Sequence, residues 1–199
     1  MTNRAFLPAV LALALAGTAA SAQFQSDGYK FLDAVRNGKN DDVTSMVEKP
    51  GSRIVDTRDR STGEGALHIV VRRSDRAYLN YLLVHGADPN LRDDKGNSPL
   101  LLAVTMGQEA MIQPLLTARA DPNLANSSGE TPLIRAVQRH DMQMARELIA
   151  GGANPDQRDV IAGLSAREYA ARDTRSPELS KLLNETPAKP KAAVAGPKL

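Results

Sequence analysis

The stretch SPLLLAVTMGQEAMIQPLLTARADPN, residues 98–123, contains one full copy of a pattern that the chain repeats. Its closing phrase, ADPN at residues 120–123, returns as ADPN 33 residues earlier and as ANPD 33 residues later. Its opening phrase, SPLL, aligns at the same spacing with GALH at residues 65–68 and with TPLI at residues 131–134. Two independent phrases with one period indicate a repeat protein, because self-similarity at a fixed period is the signature of stacked repeat architectures.

Each repeat is predicted to form two short helices. Ser98 and Thr131 each precede a proline, and a hydroxyl residue followed by proline is typical of a helix N-terminus. A second apolar run at helical spacing follows a break at Gly107 or His140. Neither helix is long enough to be stable alone, so successive units must stack to bury a shared core.

The period, the TPLH-like start of each unit and the GADPN ending resemble the ankyrin-repeat family. The resemblance covers residues 26–184 and implies an all-α solenoid of about five helix-turn-helix units with short β-turn fingers. His68 matches the histidine of the family, which implies that its side chain ties the turn to the helix. In the last unit Arg167 stands where the family prefers leucine, and we expect it to point outward. Ser176 is expected to cap the final helix.

The third unit departs from the family pattern at two positions. Pro114 falls in its second helix, where proline removes a hydrogen bond. Arg119 replaces the glycine that ends the neighbouring units, at a position that favours left-handed backbone. One alternative is that Pro114 lies early in a shortened helix and that Arg119 gains from nearby carboxylates. We predict instead that this unit is the weakest of the array.

Residues 1–22 are predicted to be a secretory signal peptide. Arg4 precedes an apolar run at residues 6–16, and small residues end the segment at Ala20 and Ala22. The run of 11 residues is shorter than the roughly 20 that a membrane anchor needs. The alternative, a buried N-terminal helix, is disfavoured by Pro8. We expect cleavage after Ala22, which places the mature chain in the periplasm or beyond it.

Composition excludes several classes of function. The chain has no cysteine, which excludes disulfides, thiolate metal sites and cysteine nucleophiles. Its 25 basic and 23 acidic side chains give no drive towards nucleic acid. Its three histidines, His68, His85 and His140, show no metal-ligand spacing, and catalytic motifs are absent. We predict no catalytic residues, no metal ligands and no cofactor.

The chain is predicted to end in a disordered tail at residues 185–199, rich in proline, alanine and lysine. This tail is either a solvated terminus or a segment that touches an anionic surface.

The family resemblance implies that the exposed face of each first helix lines a concave groove beside the fingers. This strip contains five arginines and one aspartate, and we expect the arginines to point to solvent and to meet an acidic face of a partner protein. Met106 offers an adaptable apolar contact. A solvated polar surface is the alternative. The strip consists of Arg36, Asn37, Arg72, Arg73, Thr105, Met106, Gln138, Arg139, Arg172 and Asp173.

Two fingers, residues 59–63 and 159–163, are each one residue longer than the others. The second of them carries Val160 and Ile161 at its tip, which indicates either a binding face or packing against the last helix pair. Together these features predict a monomeric, non-catalytic protein–protein interaction module of the bacterial cell envelope, with no nucleic-acid partner and no membrane insertion. The alternative function is an exported effector or inhibitor that acts on a host or competitor protein.

Overall fold

The computed structural model describes residues 26–187, in which the chain forms ten α-helices and one short 3-10 helix at Ile54–Asp56. Only two isolated antiparallel bridges, Arg58–Gly65 and Arg158–Ser165, represent extended pairing in this part of the chain. The predicted signal peptide and residues 188–199 of the predicted tail lie outside the described residues. The helices are α1 Asp27–Asn37, α2 Asn40–Val47, α3 Ala66–Arg72, α4 Arg76–Val84, α5 Pro99–Met106, α6 Glu109–Thr117, α7 Pro132–Gln138, α8 Met142–Ala150, α9 Ala166–Arg172 and α10 Pro177–Glu185.

The helices pair in chain order and stack into a solenoid of five units. Each first helix (α1, α3, α5, α7 and α9) packs against the second helix of its own unit and against the first helices of neighbouring units. The second helices α4, α6, α8 and α10 form a parallel row behind them. Because both rows contribute apolar side chains, one continuous core runs through all five units. The prediction of an all-α repeat solenoid is confirmed.

The helix boundaries follow from local chemistry. The hydroxyl of Ser98 accepts the backbone N–H of Leu101 at 3.2 Å, and that of Thr131 accepts the N–H of Ile134 at 3.2 Å. Both helices then begin with proline, whose missing N–H removes one of the unpaired donors of a helix start. α5 is apolar on every side, and its residues 99–104 are all buried, because helices on both sides cover it.

The asparagine that ends each ADPN phrase joins one unit to the next. Asn123 Nδ2 donates to the carbonyl of Gly152 at 3.1 Å, and its Oδ1 accepts the N–H of Asn154 at 2.6 Å. Asn90 makes the corresponding pair of bonds to the carbonyl of Arg119, at 3.1 Å, and to the N–H of Asp121, at 2.7 Å. These bonds satisfy backbone groups in the loop of the following unit, which gives the repeated phrase its structural reason.

The last unit replaces this link with an ion pair. Asp156, the counterpart of Asn123, accepts Arg167 Nε at 2.8 Å. The Arg167 guanidinium also donates to the carbonyls of Leu183 and Thr186, the latter at 3.0 Å. The expectation that Arg167 points outward is therefore wrong, since carbonyls at the end of α10 lack partners within their own helix and accept its side chain.

Ser176 also differs from its prediction. It precedes α10, but its hydroxyl makes no capping bond to that helix. Instead it lies 3.2 Å from His140 Nδ1, which is also 2.7 Å from Asp173 Oδ2. The Ser176 hydroxyl, which would otherwise cap α10, thus contacts His140 of the fourth unit instead.

The third unit contains both predicted irregularities. Pro114 is the sixth residue of α6, so the alternative of an early proline in a shortened helix is wrong. Arg119 has a φ of 67°, in the left-handed region, where its counterparts are Gly86 and Gly152. The exposed Arg119 side chain makes no hydrogen bond or ion pair within residues 26–187, so no carboxylate compensates for this conformation.

Arg119→Gly is expected to raise the free energy of unfolding by about 0.5–1 kcal/mol, because glycine adopts left-handed backbone without steric strain. The midpoint of denaturant unfolding measures this change. Gly86→Ala is the reciprocal control: a Cβ there meets no atom within 4 Å, so only the φ of 85° should lower stability. A lower midpoint for Arg119→Gly would mean that the Arg119 side chain contributes more than its strain costs.

Candidate protein-binding surface

Four fingers form a row held together by backbone hydrogen bonds, and each is named after its unit: the second finger is residues 59–63, the third 93–96, the fourth 126–129 and the last 159–163. The N–H of Asp94 donates to the carbonyl of Thr62, and the N–H of Ser127 donates to that of Lys95, each at 3.0 Å. Val160 continues the row with a bond of 3.0 Å to Ser128. Because each finger is tied to the one before it, the row presents its tips in a fixed arrangement.

The first residue of each finger also shapes its own turn. Asp159 Oδ1 accepts the backbone N–H groups of Ile161, Ala162 and Gly163 at 2.7–3.1 Å. Asp159 Oδ2 accepts the hydroxyl of Tyr169 from α9 at 2.5 Å. These donors hold the pKa of Asp159 below its ordinary value against the opposing effect of burial.

An arginine one position earlier braces three of the four fingers. Arg58 Nε and Arg92 Nε each donate to the carbonyl of the glycine at the far side of the finger, at 3.1 Å. Arg158 makes the same contact with its Nη1. These arginines lie on the finger side of the surface, but their guanidinium groups are engaged in holding the turn.

His68 has the structural role that the sequence predicts. Its side chain is fully buried, with Nδ1 accepting the N–H of Gly65 at 3.2 Å and Nε2 facing the carbonyl of Asn97 at 3.0 Å. A neutral imidazole with its proton on Nε2 satisfies both contacts. Burial lowers the pKa of His68, since the charged form loses its hydration. His68 therefore links the second unit to the finger of the third.

Acidic neighbours neutralise much of the predicted basic strip. Arg36 forms an ion pair with Asp59 of the second finger, and Arg72 Nη2 lies 2.7 Å from Glu64 Oε1. Arg73 Nη2 lies 3.4 Å from Asp75 Oδ2. The acids come from fingers and loops that the strip itself does not contain, so counting charges along the strip overestimated how basic this surface is.

Two strip arginines join neighbouring units. Arg73 Nη1 donates to the carbonyl of Val35, and Arg139 Nη1 donates to the carbonyl of Thr105 at 3.1 Å. Both carbonyls belong to the last turn of the preceding first helix, where no backbone N–H of that helix is available. Both side chains are exposed as expected, but one guanidinium nitrogen of each is engaged by a carbonyl of the neighbouring unit.

The glycine between the two helices of a unit leaves the space that the arginine of the next unit fills. Gly38 and Gly107 have φ values of 66° and 72°, and a Cβ on either would lie 2.9 or 2.5 Å from the Nη2 of Arg73 or Arg139. The breaks without glycine make the link with their own side chains. Ser74 Oγ accepts Gln108 Nε2 at 2.6 Å, and His140 pairs with Asp173 as described above.

The other predicted site residues are exposed as well. Met106 is 38% exposed at the centre of the strip, and Arg172 makes no hydrogen bond or ion pair within residues 26–187. Val160 and Ile161 are 73% and 79% exposed, so the alternative that this finger tip packs against the last helix pair is wrong.

The structure adds a residue that sequence reasoning missed. A surface depression of about 540 Å³ lies between the third and fourth fingers and the helices α5 and α7. Arg135 lines it, with Nη2 donating to Glu130 Oε2 at 2.6 Å. The available signal was an arginine inside the apolar run PLIRAVQ, at the position where the third unit has Leu102.

Within residues 26–187, no three histidine or carboxylate side chains lie close enough together to hold a metal ion. No helix in the same part of the chain combines the length and apolar character that crossing a membrane requires.

Two family models match the chain. The model described as ankyrin repeats (3 copies) matches residues 31–126, and the model described as ankyrin repeat matches residues 128–160. An ankyrin repeat protein of Acanthamoeba polyphaga mimivirus is 40% identical over 72 residues. That match covers 35% of this chain and 10% of the viral protein, so this chain corresponds to a small part of that relative.

Proposed function

Since the chain belongs to the ankyrin-repeat family, whose repeats are generally protein–protein interaction modules, we propose that it is a non-catalytic binding protein of the bacterial cell envelope. It holds its partner on the strip and on the finger tips. The observation that carries this proposal is the pair of exposed branched side chains, Val160 and Ile161, on a finger whose backbone is tied to its neighbour.

The geometry supports recognition by a preformed surface. The backbone bonds between fingers and the side-chain links between units leave little to order on binding, so little of the interaction energy is spent on conformational entropy. Exposed Val160, Ile161 and Met106 supply apolar contact area. Arg172, which is unpaired within residues 26–187, supplies charge at the edge, beside Arg72, which is paired with Glu64. Arginine and methionine are both enriched in interfaces relative to other surfaces.

The strip is tested by two matched double variants. Arg72→Gln with Arg172→Gln removes charges that link no units, so it should weaken capture of a partner from envelope extract and leave the unfolding midpoint unchanged. Arg73→Gln with Arg139→Gln removes two links between units and should lower the free energy of unfolding by about 1–3 kcal/mol. The loss of binding in the first variant should be larger at low salt, because exposed charges are screened.

Mass spectrometry of proteins captured by each variant gives the measurement, with Arg146→Gln on the exposed face of α8 as the control. A partner retained equally by the wild type, by the first double variant and by Val160→Ser with Ile161→Ser would contradict this function for the surface.

Export is the other part of the proposal. The mature protein is expected to begin at Gln23, because Ala20 and Ala22 meet the small-residue requirement of signal peptidase. N-terminal sequencing of the protein from a periplasmic fraction checks this expectation. Intact Met1 on protein from the cytoplasmic fraction would contradict both the location and the class of partner.

A further inference from the structure

A second and larger depression, of about 570 Å³, lies at the N-terminal end of the solenoid, between α1 and the long finger of the second unit. We call it the N-terminal pocket. Its apolar side is formed by Leu32, which is buried, and Tyr29, which is 49% exposed. The residues around it are Ser26, Tyr29, Leu32, Arg36, Thr57, Arg58, Asp59, Arg60 and Ser61.

The charge of this pocket is strongly one-sided. Arg36, Arg58 and Arg60 line it together with a single acid, Asp59. Asp59 Oδ1 accepts the N–H and the hydroxyl of Ser61, at 2.8 and 2.6 Å, and its Oδ2 is paired with Arg36. Both carboxylate oxygens are therefore engaged, and the charge left over at the pocket is positive.

The three arginines differ in the contacts that their guanidinium groups make. Arg36 is held by Asp59, and Arg58 braces the finger and lies 3.5 Å from Asp94 Oδ1. Arg60 is exposed and makes no hydrogen bond or ion pair within residues 26–187. The corresponding tip residue of the third finger is Asp94 and that of the last finger is Val160, so this cation is particular to the second finger.

We propose that the N-terminal pocket binds a short acidic segment of the partner protein, with a carboxylate at Arg60 and an apolar side chain against the exposed ring of Tyr29. Charge complementarity selects the acid, since an arginine fork matches a carboxylate. The half-exposed ring of Tyr29 offers a surface for an apolar side chain next to that acid. Tyrosine and arginine are among the side chains that most often dominate binding at interfaces. This inference rests on the proposed function, since it names the part of the surface that reads the partner's charge.

The test uses the full chain and random short peptides displayed on phage. Peptides selected on the wild type should be enriched in aspartate and glutamate next to apolar residues. The enrichment should disappear on the Tyr29→Ala, Arg60→Gln double variant and persist on Arg146→Gln. For the best peptide, fluorescence anisotropy at low salt should show roughly threefold to fivefold weaker binding to Arg60→Gln, with less than half of that loss at high salt.

Selected peptides without an acidic excess, or equal binding to Arg60→Gln and the wild type, would overturn the proposal. So would tighter peptide binding by Phe24→Ser, because that result would make the segment preceding Ser26 the occupant of the pocket. Captured partners separate the two hypotheses. A partner lost by Arg72→Gln with Arg172→Gln but kept by the pocket variant leaves the proposed function standing and removes the pocket. If acidic peptides bind through the pocket but no partner protein is captured, the pocket stands and the proposed function falls.

Discussion

His68→Leu is expected to lower the free energy of unfolding by about 2–3 kcal/mol, because leucine of similar size fills the space but makes neither hydrogen bond. The buried N–H of Gly65 loses its acceptor, and the carbonyl of Asn97 keeps only the N–H of Asp93, at 2.9 Å. Denaturant unfolding measures the change. His85→Leu is the control, since His85 is exposed and its side chain bonds, among residues 26–187, only to the carbonyl of Tyr81, beside the Tyr81 ring.

His68 should also make stability depend on pH. Burial lowers the pKa of His68 in the folded chain, whereas the unfolded chain binds the proton near its ordinary pKa of 6.5. The contribution of His68 is therefore fully present above pH 6.5 and is lost as the pH falls below that value. The slope from this one group has an upper limit of about 1.4 kcal/mol per pH unit, the value for one proton taken up on unfolding. The wild type should show this slope and His68→Leu should not, while His85→Leu retains it. Equal slopes in the wild type and in His68→Leu would contradict the assignment.

Arg167→Gln is expected to lower the stability of the last unit by about 1–3 kcal/mol, because one guanidinium joins Asp156 to the end of α10. Hydrogen exchange of the α10 amides should accelerate more than that of α5, which lies in the middle of the stack. Arg172→Gln is the matched control, an exposed arginine of α9 without a bond to any described residue. Unchanged protection of α10 in Arg167→Gln would show that packing alone holds the last helix.

The units, the helix starts and the irregular third unit could be predicted from sequence because they depend on neighbours within a few residues. The hydroxyls of Ser98 and Thr131 accept backbone N–H groups only three residues further on, and both helices begin with the proline that follows the capping residue. Arg119 has the left-handed backbone that its alignment with glycines predicts. The exposure of Val160 and Ile161 excludes packing of this tip against the last helix pair, which the sequence left open, since finger length says nothing about what a tip touches.

The destinations of the long charged side chains were decided only by the tertiary structure. Arg73 reaches Val35, 38 residues away, and Arg139 reaches Thr105, 34 residues away, because stacking places the carbonyl end of one first helix beside the next. Arg167 turns inward for the same reason, towards the carbonyls that end α10. A repeat period determines which units are neighbours and which faces are buried. Whether a flexible guanidinium meets solvent, an acid or a helix end depends on acceptors that become adjacent only after the units have stacked.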